Sequence, residues 1–178
     1  VFQRLYLEAG RILMNVRRAT GRDSRIEIHT PSAAAVARGT DFRVSVDDES
    51  ATAAGVLSGG IDVAAMKREV ALKKGEGTLV KKGGAPLEPI KLLSPPVLAD
   101  PQPIYKSMPA SLVFERQPEA VAYRYLLTRD SAGRDVLHER VVPAGDDFQV
   151  TGLDDGLYYL HGWGIDVLGL EGLPCPPQ

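Results

Sequence analysis

The residues whose types could do chemistry are few: three histidines (His29, His138, His161), one cysteine (Cys175), two acidic clusters (Asp47-Asp48-Glu49 and Asp154-Asp155) and an aromatic run at Tyr159, His161 and Trp163. The histidines fall in separate strand-like segments with no metal-ligand spacing. No Gly-x-Ser-x-Gly elbow is present, and Gly75 to Lys82 lacks the second glycine of a phosphate-binding loop. Cys175 stands in a Pro-rich tail, so one chain offers neither a disulfide nor a thiolate metal site. The acidic clusters lack the spaced oxygen ligands of a calcium loop. The expectation is a protein that is not an enzyme and uses no metal or cofactor.

Two binding candidates remain. If Tyr158 and Leu160 point inward on a strand, the next inward positions are Gly162 and Gly164, and the outer face carries Tyr159, His161 and Trp163. A strand with glycines on its inner face packs thinly or lets another group approach closely. Exposed aromatics on the outer face supply rigid contact area for a protein or a sugar. The alternative is that Trp163 packs against the first half of the chain or the linker and sets the angle between domains. Arg38, at a central turn, is the second candidate; its structural alternative is pairing with an acidic neighbour or a turn carbonyl.

The elements that must position these groups are strands. Arg25-Ile26-Glu27-Ile28-His29 alternates cleanly, with Ile26 and Ile28 inward. Thr30-Pro31 breaks that run, Ala33 to Arg38 forms another, Gly39-Thr40 turns, and Phe42, Val44 and Val46 share a face in a third. Further runs follow at a stride of about ten residues with glycine turns, which argues for an all-β sandwich, barrel or short β-solenoid. The one helical candidate, around Val63 to Arg68, is too short to change the class. Leu87 to Pro109 is rich in proline, which cannot donate to a ladder, and is expected to be a stiff linker. The expected organisation is a β domain over residues 1–94, a linker over 95–109 and a second β domain over 110–178. In the second, Ser111 to Glu115, Ala120 to Thr128, Val136 to Val142, Phe148 to Val150 and Leu157 to Asp166 are the strand candidates.

A Thr-Pro-Ser-Ala strand leading to Arg-Gly-Thr and then an alternating Phe-x-Val strand resembles the central motif of the FecR domain, carried here by Thr30, Pro31, Arg38, Gly39, Thr40 and Phe42. Val56 to Val63 resembles the family's Val-x-x-Gly-x-Val repeat, and Val70 to Gly77 its closing segment. In the second half, Leu153-Asp154-Asp155-Gly156-Leu157-Tyr158 resembles the tyrosine-corner region of fibronectin type III and related immunoglobulin-like sandwiches, and Ala122 to Leu127 their central strand. The resemblance implies an all-β chain: a FecR-like domain, sandwich or short solenoid, followed by an immunoglobulin-like β-sandwich.

What the resemblance implies for function is a bacterial envelope protein facing the periplasm. FecR-type proteins relay the state of an outer-membrane receptor to a cytoplasmic sigma factor. The first functional expectation is therefore a protein-interaction or signalling module that docks an envelope protein partner through a sheet edge or the aromatic stripe. The second is a wall-associated module that binds peptidoglycan, because similar FecR domains often follow a LysM domain. A formal net charge of −2 gives no basic excess for nucleic acid. No apolar run approaches the length of a membrane span. The chain begins inside a strand-like run, which points to a mature fragment or a piece of a longer protein.

Overall fold

In the computed structural model, residues 2–15, 25–37, 40–102 and 104–177 are described. These residues form fifteen strands and no helix, and the chain divides into two compact units, Val1–Leu92 and Leu93–Gln178.

The first unit holds β1 (Phe2–Tyr6), β2 (Gly10–Asn15), β3 (Arg25–His29), β4 (Ala34–Ala37), β5 (Asp41–Val46), β6 (Thr52–Ser58), β7 (Gly60–Ala65), β8 (Arg68–Lys73), β9 (Glu76–Val80) and β10 (Ile90–Lys91). They form two five-stranded sheets, ordered β1-β3-β4-β7-β8 and β10-β9-β6-β5-β2. All pairings are antiparallel except β1 with β3, which run parallel. The period-2 alternation read from sequence sorts the faces: Ile26 and Ile28 from one sheet and Phe42, Val44 and Val56 from the other meet in a single buried core. Two facing sheets around one core make this unit a sandwich rather than a solenoid.

Between β7 and β8, where a short helix was conceivable, the chain makes a two-residue turn. Met66 (φ 48°) and Lys67 (φ 63°) both sit in the left-handed region. A right-twisted hairpin demands that geometry of a two-residue loop, and the register from Ala65 opposite Arg68 back to Gly60 opposite Lys73 holds it there. The segment after β9 also stays with this unit. Leu92 donates its N–H to the Gly75 carbonyl at 2.8 Å, and its side chain lies over Gly55, where a Cβ would come within 3.3 Å of the leucine.

The second unit holds β11 (Ala110–Leu112), β12 (Ala122–Thr128), β13 (Val136–Pro143), β14 (Phe148–Val150) and β15 (Tyr159–Ile165). β12 lies between β13 and β15, and β11 pairs with β14. Leu112 and Phe114 on one side and Tyr123, Tyr125 and Leu160 on the other join in one core. Val97 to Ala99, within the Pro-rich stretch, are not a free spacer. Ala99 and Val113, and Glu115 and Val97, are joined by backbone hydrogen bonds of 2.8 Å, and Leu98 is buried in the core. An X-Pro-rich chain still offers alternate N–H and C=O groups at its non-proline residues, and here they border the sheet.

The corner before β15 has the expected form. Tyr158 Oη donates to the Asp154 carbonyl four residues upstream at 2.8 Å, a bond like that of the tyrosine corner in immunoglobulin-like sandwiches.

Candidate functional site

The motif residues around the central turn are structural. Thr30 Oγ1 accepts the Ala33 N–H at 2.9 Å and meets Thr52 Oγ1 at 2.7 Å, so the end of β3 is tied to the start of β6 in the facing sheet. Thr40 is 1% exposed, and its hydroxyl donates to the Gly60 carbonyl at 2.8 Å, tying the entry of β5 to β7. The two threonines therefore link the two layers, while Phe42 is fully buried in the core and Pro31 is exposed at the corner. Arg38 and Gly39 lie outside the described residues. Arg43 is buried on the row it shares with Gly55.

The acidic tip at Asp47 is a turn built on its own side chain. Asp47 Oδ1 accepts the N–H groups of Glu49 at 3.0 Å and Ala51 at 2.8 Å, the local capping that makes Asp common in tight turns. Among the described residues, no group of three or more potential ligand side chains is placed to hold a metal ion.

The stripe on β15 differs from expectation. The inner positions are as read: Gly162 and Gly164 face the core, opposite Tyr125 and Tyr123 of β12. The outer residues do not form an exposed platform: Tyr159 is half-buried, His161 is 9% exposed and Trp163 7%. For His161 the reason is the β12–β13 loop, which folds back over the strand. Gly133 in that loop is positioned so that a Cβ would come within 3.5 Å of the imidazole and 3.7 Å of Leu126. The loop is built on the Asp130 carboxylate, which accepts the N–H groups of Ala132 (2.9 Å), Arg134 (3.0 Å) and Asp135 (2.6 Å). Those bonds, that of Asp135 foremost, hold the Asp130 carboxyl below the usual carboxylate range. Thr128 Oγ1 donates to the Asp130 carbonyl at 2.7 Å and lies 3.2 Å from His161 Nε2. Desolvation pushes the His161 pKa down, and the Asp130 carbonyl and charge oppose it only in part. His161 is thus a neutral, buried fastener rather than part of an open platform.

The accessible cluster lies elsewhere, on the outer face of β1 and β3. Phe2, Arg4 and Tyr6 stand opposite Arg25, Glu27 and His29 in parallel register. Glu27 is the hub: its carboxylate accepts from His29 Nε2 at 3.2 Å, Arg4 Nε at 3.2 Å and Arg25 Nη2 at 2.9 Å. The hydrogen bonds from His29 and then Arg4, with the nearby arginine charges, lower its pKa. The Tyr6 ring centres 5.5 Å from that of His29, and Arg4 lies 5.5 Å from the Phe2 ring centroid. Phe2 is 56% exposed and Tyr6 72%. In sequence, Phe2 to Leu7 is a short extended run like several others. The signal was present in the spacing of Phe2, Arg4 and Tyr6 at alternate positions, but nothing local says that this strand ends a sheet. His138, on β13, shares a sheet with His161 but is separated from it by β12, and His29 lies in a sheet of the first unit.

Residues 2–62, about a third of the chain, match the model of the FecR protein family. No curated protein matches the chain. Among solved structures, two crystal structures of a candidate anti-sigma factor from Parabacteroides distasonis are similar over part of their length. One is 24% identical with a TM-score of 0.41, covering 48% of this chain and 41% of that one. The other is 23% identical with a TM-score of 0.42, covering 49% and 41%. This chain therefore spans about two fifths of the length of those structures.

Proposed function

We propose that this chain is a non-catalytic module of bacterial envelope signalling that acts in the periplasm by binding another envelope protein. The observation that carries the reading is the FecR match over residues 2–62, because FecR-type proteins act as relays between a receptor and a regulator. The matched stretch runs from β1 into β7 and contains both the threonine links between the sheets and the exposed Phe2–Arg4–Tyr6 strip. A relay module needs a rigid body that presents a surface to a partner, and those two features supply the body and the surface.

The test is retention of partners from detergent-solubilised envelope of the source organism on the immobilised chain, with and without muramidase digestion. The expected result is one envelope protein retained under both conditions. Sedimentation of the chain with intact sacculi that disappears on digestion would replace this reading with a peptidoglycan-binding one.

A further inference from the structure

We propose that the open edge of β1 is a docking site for an extended strand of a partner protein bearing an acidic residue opposite Arg4. This deepens the reading above and rests on it, naming the surface and the chemistry of the partner.

β1 ends its sheet among the described residues, with β3 as its neighbour. Leu7 donates its N–H to the His29 carbonyl at 2.8 Å. Backbone groups alternate in direction along a strand, so Leu5 and Gln3 also face β3, and the N–H and C=O of Phe2, Arg4 and Tyr6 point to the open side. An arriving antiparallel strand would exchange both backbone bonds with Arg4 and set one of its residues directly beside the guanidinium.

Natural edge strands are commonly blunted by brevity, charge or proline. β10 is two residues long; β8 carries Arg68, Glu69 and Lys73; β13 carries Glu139 and Arg140 and ends at Pro143. β2 and β15 also end sheets with at most one charge and no proline, but β2 is half-buried and β15 largely buried. β1 combines an unblunted edge with full exposure. Its five residues, Phe-Gln-Arg-Leu-Tyr, are all exposed and hold one charge and no proline.

Charge selects the occupant. Glu27 is shared by Arg4, Arg25 and His29, so two guanidinium charges meet one carboxylate and the strip is left with a positive excess. Arg4 has Glu27 on the β3 side, with Tyr6 hydrogen-bonded to it and the Phe2 ring beside it; a carboxylate arriving on the open side would add a second acidic partner. A second copy of β1 fits poorly, since the antiparallel register that pairs all five residues sets Arg4 against Arg4, and like charges directly opposite are destabilising. Aromatic or β-branched residues two positions either side of the acid would lie against Phe2 and Tyr6.

The test titrates the isotope-labelled chain with two blocked pentapeptides, Tyr-Thr-Glu-Thr-Val and Tyr-Thr-Lys-Thr-Val, following amide shifts and hydrogen exchange. The expected result is slowed exchange of the Arg4 amide, and binding of the Glu peptide about three- to tenfold tighter than the Lys peptide. Arg4→Glu, checked for an unchanged spectrum elsewhere, inverts that preference, and Arg4→Pro removes the outward N–H and abolishes binding of both. Equal binding of the two peptides, shifts centred away from β1, or a concentration-dependent dimer of the chain that Arg4→Pro dissolves would each overturn the proposal. Capture of an envelope protein by the Arg4→Glu chain at undiminished strength would overturn the edge site alone; failure of the unaltered chain to capture any would overturn the wider reading.

Discussion

The Phe114 ring occupies the place where a Cβ on Gly162 would stand: its ζ carbon lies 2.1 Å from that position. Strand β15 therefore donates space rather than a side chain to the second core. The ring stacks on Tyr125, with centroids 4.6 Å apart and 14° between planes, and Tyr125 in turn meets Phe148 at 5.0 Å. Tyr125 on β12 stands beside Gly162 on the neighbouring strand β15, and the missing side chain leaves the room that Phe114 fills.

Gly162→Ala should overpack this contact. The expected loss is about 1–3 kcal/mol of unfolding free energy or more, because the ring is wedged among neighbours. Chemical denaturation measures it. In Phe114→Leu, which already removes the ring edge, the same glycine change should cost much less, and a double-mutant cycle reports the difference.

Tyr158→Phe should cost about 0.5–1.5 kcal/mol, the net worth of one hydrogen bond, while leaving strand pairing intact. The Asp154 carbonyl is exposed enough for water to replace the phenol, which keeps the loss at the low end. Urea midpoints at constant m-value check it.

Thr40→Val should cost about 1 kcal/mol, since it takes the donor from the half-buried Gly60 carbonyl. Thr40→Ser keeps the hydroxyl and should recover most of that loss. If valine proved neutral, the motif threonine would not be a link between the sheets.

His161 sets a pH dependence. Its folded pKa lies below the ordinary histidine value of about 6.5, so below that pH the unfolded chain takes up a proton that the folded chain resists. Its contribution to stability is complete above about pH 6.5 and is lost as pH falls from there through the folded pKa. His161→Gln should flatten stability between pH 7 and 5 relative to the unaltered chain. Asp130→Ala should release the loop that buries the ring, and the His161 resonance should then titrate closer to its ordinary range. The lowered carboxyl pKa values of Glu27 and Asp130 act in a separate, more acidic window: their stabilisation is present above about pH 4.5 and falls away as they are protonated.

Residue order alone specifies the all-β class, the positions of most strands, the inward faces at Ile26, Ile28, Phe42 and Val44, the thin inner face at Gly162 and Gly164, and the corner at Tyr158. These follow from short-range chemistry: alternation has a period of two, and glycine and tyrosine carry local geometric demands. Tertiary structure alone decided the rest. Period two says which residues share a face and not which face is covered, so the loop over His161 was invisible. Met66-Lys67 has no turn signature, and only the pairing of β7 with β8 holds both residues at positive φ. β1 reads like any other extended run. Its parallel partner lies about twenty residues away, and its open edge is a property of the sheet order, which long-range pairing sets.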